Sequence, residues 1–171
     1  MKTTFRWYGK SDSLPLEYIK QIPGMTGVVT AVYDVPVGEV WSMEKIMELK
    51  KDVTNANLEM EVIESVPVHE DIKMGLTTRE KYIENYKQNI RNLAKAGVKV
   101  ICYNFMPVFD WTRSNLDYKL EDGSTALVYY KSEIEKMDPR NGDLNLPGWD
   151  ASYKKDERNA VLEKYKSVSE E

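Results

Sequence analysis

Three short segments of the chain share one pattern: VPVGE (35–39), VPVHE (66–70) and MPVFD (106–110). Each reads apolar residue, proline, valine, any residue and then a carboxylate, and each follows a run of β-branched or aromatic residues. Proline has no amide hydrogen for a strand ladder, so we expect it to end each strand. A carboxylate just before a helix suits the positive end of the helix dipole. The pattern therefore predicts three strands, each followed by a helix.

Outward from these segments, the chain alternates between predicted strands and predicted helices. The sequence predicts strands over 4–9, 27–33, 59–66 and 98–105, and helices over 14–22, 42–57 and 77–97. Ser13 and Ser42 are the expected N-caps of the first two helices. Thr77 with Glu80 predicts a capping box for the third helix, and Gly97 is expected to end it.

The third predicted helix carries apolar and aromatic residues at helical spacing, which predicts one buried stripe along it. The members of this stripe are Tyr82, Ile83, Tyr86, Ile90 and Leu93. After the fourth strand, the run 118–130 predicts a β-hairpin around Asp122 and Gly123. The residues that follow are polar, with an irregular and partly helical pattern to the C-terminus.

Strands that alternate with helices predict an α/β fold with parallel βαβ units. The carboxyl ends of such strands carry ligand-binding loops, so Glu39, Glu70 and Asp110 are expected at a shared rim, with helix capping as the alternative role. A TIM-type (β/α)₈ barrel needs about 250 residues, so four units make half of one. We therefore interpret the chain as a single domain, the N-terminal half of such a barrel. Its βα units span 1–113, and a hairpin with a variable tail spans 114–171.

Composition limits the class of protein. The chain has 171 residues, 42% of them hydrophobic and 30% charged, which is typical of a globular domain. Its net charge of −4 comes from interspersed acids and bases, which argues against a nucleic-acid partner. Cys102 is the single cysteine, so no internal disulfide is expected and a reducing compartment is favoured. No stretch resembles a secretion signal or a membrane span, and we expect a cytoplasmic protein.

Five blocks, in chain order between residues 5 and 130, resemble the mannonate dehydratase family. They are FRWYG (5–9), GVVTAVYDVPVGEVW (27–41), ESVPVHEDIK (64–73), RNLAKAGVKVICYNFMPVFDWTR (91–113) and LEDGSTALVYY (120–130). The resemblance implies a xylose-isomerase-like (β/α)₈ barrel. It also implies a hydro-lyase of hexuronate catabolism, which removes water from D-mannonate to give 2-keto-3-deoxy-D-gluconate with Mn²⁺ or Fe²⁺.

The chain departs from the family at the metal site. The resemblance implies that two histidines, a cysteine and an aspartate from later strands bind the metal, so these ligands are expected beyond residue 171. His69 and Cys102 match none of those motifs, and an inert buried thiol is the expected state of Cys102. We therefore expect the chain alone to bind no metal and to lack turnover, and we assign no catalytic residue.

Several side chains are nevertheless candidates for binding the sugar acid. They are Arg6, Trp7, His69, Glu70, Asn104, Asp110 and Arg113. The arginines suit the substrate carboxylate, whereas the amide, the imidazole and the acids suit its hydroxyl groups. All of them except Asn104 also have a structural alternative: Arg6 as a rim cation, Trp7 as a sheet aromatic, His69 as a solvated loop residue, Glu70 and Asp110 as capping acids and Arg113 as an ion-pair partner of Asp110.

Two other functions remain open on the sequence. One is a related metal-dependent sugar isomerase or epimerase on the same barrel, against which the DWTR (110–113) and ESVPVHEDIK (64–73) blocks argue. The other is a non-catalytic fragment for sugar-acid binding or assembly. The expected partners are D-mannonate and either a second copy of the chain or a missing C-terminal half.

Overall fold

The computed structural model describes residues 1–105 and 113–136 together with Glu163, and for Ile134 the main chain alone. The chain divides into two compact units, Met1–Phe105 and Met106–Glu171. The division falls eight residues before the predicted end of the βα units at residue 113. The segment MPVFD (106–110), and with it Asp110, lies outside the described residues.

The first unit contains a four-stranded sheet in the order β1-β2-β3-β4, and every pair of neighbouring strands is parallel. The strands are β1 (Thr3–Arg6), β2 (Met25–Thr30), β3 (Glu59–Ile63) and β4 (Val100–Ile101). Spatial order follows chain order, as expected for successive βαβ units. The prediction of an α/β fold with a parallel sheet is confirmed.

The described helices of the first unit are α1 (Leu16–Lys20), α2 (Met43–Asn55), α3 (Glu70–Lys73) and α4 (Arg79–Lys95). Ser42 caps α2 as predicted, because its side chain accepts a hydrogen bond of 3.2 Å from the Lys45 amide. Gly97 follows the last turn of α4 with φ of +87°, the left-handed conformation that ends many helices.

Two predicted caps are wrong. Pro15, not Ser13, occupies the N-cap position of α1, and the Asp12 side chain accepts the nearby Tyr8 and Leu14 amides at 2.8 and 3.0 Å. The capping box of Thr77 and Glu80 does not form, because α4 begins after Thr78. The Thr78 hydroxyl donates instead to the Asp71 carboxylate in α3, a tertiary partner that sequence spacing does not indicate.

The strands are shorter than predicted. β2 ends at Thr30 and β3 at Ile63, so Pro36 and Pro67 lie in the following loops and do not themselves end the strands. β4 is confined to Val100–Ile101, although the Cys102 amide still donates to Ile63 O at 2.8 Å. In the loop after β2, the backbone groups of residues 38–41 bond to side chains of α4, which explains why this segment leaves the sheet.

The hydrophobic core of the first unit lies between the sheet and the helices. Its most deeply buried members come from strands, helices and one loop: Ile19, Val28, Trp41, Ile46, Val53, Ile63 and Leu93. The predicted stripe of α4 is only partly buried. Leu93 is inaccessible, but Ile90 is 41% exposed, and Asn89 and Asn92 occupy the buried face.

In the second unit, β5 (Asn115–Lys119) pairs antiparallel with β6 (Thr125–Val128), followed by α5 (Lys131–Ile134). The turn contains Gly123 at φ of +83°, and the Asp122 side chain accepts the Ser124 amide at 2.9 Å. The predicted hairpin is therefore confirmed. Within 1–105 and 113–136, no helix has the length and apolar character needed to cross a membrane.

Candidate active site

The carboxyl ends of the four parallel strands lie along one edge of the sheet, where α/β proteins collect their ligand-binding side chains. Backbone hydrogen bonds extend the ladder past the ends of the strands. The Trp7 amide donates to Val29 O and the Glu64 amide to Thr30 O, both at 2.9 Å. These bonds fix the positions of Trp7 and Glu64, the residues that directly follow β1 and β3.

Arg6, the last residue of β1, is the central cation of this edge. Its Nη1 lies 2.9 Å from Oε2 of Glu64, which follows β3, so the ion pair spans the intervening β2. The guanidinium carbon also lies 4.8 Å from the ring centroid of Tyr8, a cation–π distance. Burial opposes the charge, but the neighbouring Tyr33 oxygen and the Glu64 carboxylate outweigh it and raise the pKa of Arg6. Arg6 is thus a positioned, permanently charged group.

Arg6 retains unused hydrogen-bonding capacity. Its Nε is buried, and among the described residues it finds no hydrogen-bond partner. A buried donor without a partner costs free energy unless a ligand or water satisfies it. The Nε and an Nη of one guanidinium match the two oxygens of a carboxylate. The Arg6 side chain is 31% exposed, so a carboxylate can approach the guanidinium, and it would reach the buried Nε after a shift of the side chain.

Two tyrosines frame Arg6. The Tyr33 hydroxyl, from the loop after β2, donates to Trp7 O at 3.2 Å, and its ring centroid lies 6.3 Å from that of Tyr8. Trp7 itself is buried in the core at 4% exposure, which corresponds to its alternative role as a sheet aromatic. The tyrosines hold the end of β1 in place beside Arg6.

An amide and a hydroxyl lie further along the same edge. Asn104 follows β4, and its Nδ2 donates to Ser65 Oγ after β3 at 3.4 Å. Both groups are half-buried. Since this bond is long, each group keeps capacity to bind a ligand hydroxyl.

His69 has a structural role that the sequence did not indicate. It is the N-cap of α3, where its Nδ1 accepts the Asp71 amide at 3.1 Å. The ring stacks on Tyr82 of α4, with centroids 3.6 Å apart and planes 9° apart. Gly38 packs against both rings, because a Cβ there would lie 2.7 Å from His69 Cδ2 and 2.6 Å from Tyr82 Cδ1. His69 thus joins two loops to α4, and its contact with substrate stays a prediction.

Two acids of the predicted rim pair with lysines. Glu70 lies in the first turn of α3 and pairs with Lys73 at 2.6 Å, while its Oε2 is buried without a partner among the described residues. Glu39 lies 3.6 Å from Lys81 of α4. Arg113 has interactions within the protein, and its role toward substrate stays a prediction, as does that of Asp110.

Four residues of this edge were not predicted: Tyr8, Tyr33, Glu64 and Ser65. Each directly follows, or lies within three residues of, the end of a strand. A position within three residues after a strand is therefore the sequence feature that would have identified them. The proline segments, from which the shared rim was predicted, lie further along the loops.

A cleft of about 350 Å³ opens beside the Arg6 cluster. Lys10 pairs there with Glu48 at 2.9 Å and with Asp52 at 3.1 Å. Lys45 pairs with Asp34, which lowers the pKa of that carboxyl. Residues of α2 and of the loops after β1 and β2 line the cleft, among them Tyr8, Tyr33, Asp34, Lys45, Glu48 and Asp52. Two lysines and three carboxylates leave the cleft with a net negative charge, so an anionic ligand is not favoured there.

The residues present do not fit a divalent metal. Among those described, no three His, Cys, Asp or Glu side chains converge as metal ligands. His69 Nδ1 is already an acceptor for a backbone amide. Cys102 is a free, half-buried thiol at the end of β4. No step of the chemistry is therefore assigned to a metal held by these side chains.

A parallel sheet with a guanidinium, an amide and hydroxyl groups at its carboxyl edge defines the class: an α/β protein with polar side chains at the edge where such folds bind small ligands. The D-mannonate dehydratase (UxuA) family model matches residues 1–171, and the chain belongs to this family.

The chain is 59% identical over 171 residues to mannonate dehydratase 2 of Halalkalibacterium halodurans, covering all of this chain and 50% of that protein. It is 61% identical over 172 residues to the mannonate dehydratase of Streptococcus suis strain 05ZYH33, covering 47% of it. The crystal structure of mannonate dehydratase from Streptococcus suis serotype 2 matches with a TM-score of 0.78 and 53% identity, over 96% of this chain and 48% of that one. The chain spans about half the length of the curated relatives it matches.

Proposed function

We propose that this chain is part of an enzyme that dehydrates D-mannonate to 2-keto-3-deoxy-D-gluconate, and that it binds the carboxylate of the substrate. The observation that carries the proposal is Arg6, a fixed guanidinium at the carboxyl edge of a parallel sheet with a buried, unpaired Nε. A sugar acid has one carboxylate for such a group, and family membership supports this substrate class.

The proposed complex places the substrate carboxylate on Arg6. Tyr8 and Tyr33 hold the guanidinium in position, and Glu64 yields one of its contacts to the incoming carboxylate. Asn104 and Ser65 bind hydroxyl groups of the polyol chain. These contacts fix the carbon next to the carboxylate, whose proton must leave before the neighbouring hydroxyl departs as water.

The complete enzyme in this proposal is a (β/α)₈ barrel. Four parallel strands in chain order, in a chain about half the length of its relatives, support this architecture. In the complete enzyme, Mn²⁺ or Fe²⁺ held outside this chain would supply stabilisation of the negative charge that develops on the substrate. The proposal assigns the metal ligands, general acid and base to polypeptide outside this chain, as the family resemblance implies for the metal ligands; the described side chains form no metal site. Cytoplasmic location, as expected from the sequence, is part of the same proposal.

The test joins this chain to the second half of the Streptococcus suis dehydratase in one polypeptide. The chimera is assayed with D-mannonate and Mn²⁺, and the product is identified by NMR. We expect 2-keto-3-deoxy-D-gluconate, and a loss of activity on chelation that added Mn²⁺ restores.

Substitutions in the chimera test the role of Arg6. Arg6→Gln should lower kcat/KM roughly 100-fold, because a hydrogen bond to a charged group contributes about 1.5–3 kcal/mol. Arg6→Lys keeps the charge but not the paired donors, so a smaller loss is expected. Arg79→Gln is the matched control, since Arg79 is half-exposed on α4 and pairs with Glu80. An epimerised or isomerised product, or an Arg6→Gln variant with full kcat/KM, would contradict the proposal.

A further inference from the structure

The loop after β2 is tied to α2 by an ion pair beside the Arg6 cluster. Asp34 directly follows Tyr33 in this loop, and its carboxylate pairs with the ammonium group of Lys45 in the first turn of α2. A cation in the first turn of a helix is disfavoured by the helix dipole. Lys45 therefore does not serve α2 itself, and its favourable partner is the loop.

The loop after β1 has a second connection to the same helix. Lys10, two residues after Tyr8, pairs with Glu48 at 2.9 Å and with Asp52, one turn further along α2, at 3.1 Å. The two connections interact, because Lys10 and also Lys45 lower the pKa of Glu48. A network of charges keeps its geometry better than one isolated exposed pair.

Tyr33 joins the two loops to each other. Its hydroxyl donates to the carbonyl of Trp7, the residue directly after Arg6, at 3.2 Å. Gly9 of the loop after β1 lies against the Tyr33 ring, since a Cβ there would be 3.0 Å from Cδ2 of the ring. Burial opposes the charge of Arg6, but the Tyr33 oxygen helps to raise its pKa. The position of Tyr33 thus limits where the guanidinium can lie.

We infer that Asp34 and Lys45 are positioning residues, whose ion pair holds Tyr33 against the end of β1 and thereby aligns Arg6 with the substrate carboxylate. Lys10 supports the neighbouring loop in the same way. The inference rests on the proposed function, in which Arg6 binds that carboxylate. It adds that α2, which contacts no substrate in that proposal, sets part of the affinity for the sugar acid.

The experiment uses the chimera of this chain with the second half of the Streptococcus suis dehydratase. Asp34→Asn and Lys45→Met each remove one charge of the pair and keep most of the side-chain volume. Each should raise KM for D-mannonate about 5- to 10-fold and change kcat by less than about two-fold, because a loss of uniform substrate binding appears in KM. Lys45→Arg keeps the charge and should keep most of the affinity.

A double variant distinguishes positioning through Arg6 from a general structural role. In an Arg6→Gln background, Asp34→Asn should cause no further loss of kcat/KM, because the group that it positions is already gone. A structural role independent of Arg6 would add its full loss to that of Arg6→Gln.

Glu84→Gln is the matched control. It removes the pair with Lys87 on α4, in which both side chains are about as exposed as those of Asp34 and Lys45. KM should stay unchanged in this variant. The melting temperature should stay unchanged in all the single-charge variants, since exposed pairs contribute little to stability.

A second readout does not depend on turnover. In the chimera labelled with ¹⁵N-arginine, the Nε–H signal of Arg6 is identified by its absence from the Arg6→Gln spectrum. This Nε is buried, so its proton should exchange slowly with water. Exchange should become faster in Asp34→Asn and Lys45→Met and should not change in Glu84→Gln.

The two readouts separate this inference from the proposed function. An active chimera in which Asp34→Asn and Lys45→Met leave KM unchanged overturns the inference, as does an added loss in the Arg6→Gln background or an Arg6 signal that neither variant alters. A chimera without turnover of D-mannonate, in which both variants speed the exchange at Arg6, would support the positioning role and contradict the dehydratase proposal.

Discussion

Two faces of α4 contact their surroundings in opposite ways. One face is buried and polar: Asn85, Asn89 and Asn92 bond to the backbone of residues 38–41. The other face is apolar and partly exposed, with Ile83 and Ile90 lining an apolar groove. In most helices of globular proteins the arrangement is the reverse.

The polar face is buried because its asparagine side chains form the hydrogen bonds that a neighbouring strand would otherwise provide to the loop after β2. Asn89 accepts the Trp41 amide at 2.6 Å and donates to Glu39 O at 3.1 Å. Asn92 donates to Trp41 O at 2.8 Å, while its own Oδ1 accepts from Gln88. The loop after β2 thus obtains from asparagine side chains the hydrogen bonds that buried backbone requires. The difference between the faces teaches that burial on α4 follows backbone hydrogen bonding as well as hydrophobicity, because Leu93 is buried beside the asparagines.

The largest expected effect is on the polar face. Asn89→Ala should lower the free energy of unfolding by roughly 2–3 kcal/mol, because it leaves the Trp41 amide in a buried site without an acceptor. Ile90→Ala, one residue along the same helix, should cost no more than about 1 kcal/mol, since its side chain is already partly exposed. Urea unfolding of both variants measures the comparison. Equal losses, or a larger loss for Ile90→Ala, would contradict the assignment of the two faces.

A second prediction concerns the glycine against which the polar face is packed. Gly38 has φ of +86°, and a Cβ there would lie within 3 Å of the rings of His69 and Tyr82. Gly38→Ala should therefore cost more than the roughly 1–2 kcal/mol expected for the left-handed backbone alone.

Gly24 isolates the backbone contribution. It has φ of +76°, but a Cβ at Gly24 would meet nothing within 4 Å. The difference between Gly38→Ala and Gly24→Ala in thermal unfolding measures the packing of the loop on α4. If Gly38→Ala costs no more than Gly24→Ala, the contact of Gly38 with the stacked rings contributes little.

The smallest effect is a difference in acid sensitivity between two loops. Asp12 holds the loop after β1 through the Tyr8 and Leu14 amides, and these bonds lower the pKa of Asp12 below 3.8. A lowered pKa in the folded state means that this stabilisation is present above about pH 4 and is lost as the pH falls through the folded value. The asparagines of α4 do not titrate.

Hydrogen exchange, corrected for its intrinsic pH dependence, provides the measurement. Below about pH 4 the Tyr8 and Leu14 amides should lose protection before the Trp41 amide does. Asp12→Asn should remove that pH dependence. Simultaneous loss of protection in both loops would show that acid acts on the whole unit and not on Asp12.

Much of the fold could be predicted from the sequence. Strand–helix alternation gave the parallel α/β sheet, Ser42 and Gly97 gave helix ends, and Asp122 with Gly123 gave the hairpin. These features depend on local backbone preferences and on hydrophobic period, which a single sequence displays. The errors arose where tertiary bonds replaced local ones, as at Ser13, Thr77 and the buried face of α4.

The candidate site was predicted in part. Arg6 is the last residue of β1 and Asn104 follows β4, and both lie within the stretches predicted as the first and fourth strands, 4–9 and 98–105. Glu64 and Tyr33 were missed, because they become neighbours of Arg6 only through strand pairing across β2. His69 drew attention as the single histidine, but stacking on Tyr82 and capping of α3 assign it a structural role.

The sequence by itself determined the class of fold, the family and the polar residues that follow each strand. Those properties follow from the spacing of hydrophobic residues, from the residues at turns and from the sequence blocks that occur in the order of the family. Only the tertiary structure decided which face of α4 is buried, which acid pairs with Arg6 and where an apolar groove stays open. The reason is physical: backbone groups and charges are satisfied by whichever partner the fold brings within about 3 Å, and that partner is often distant in the chain.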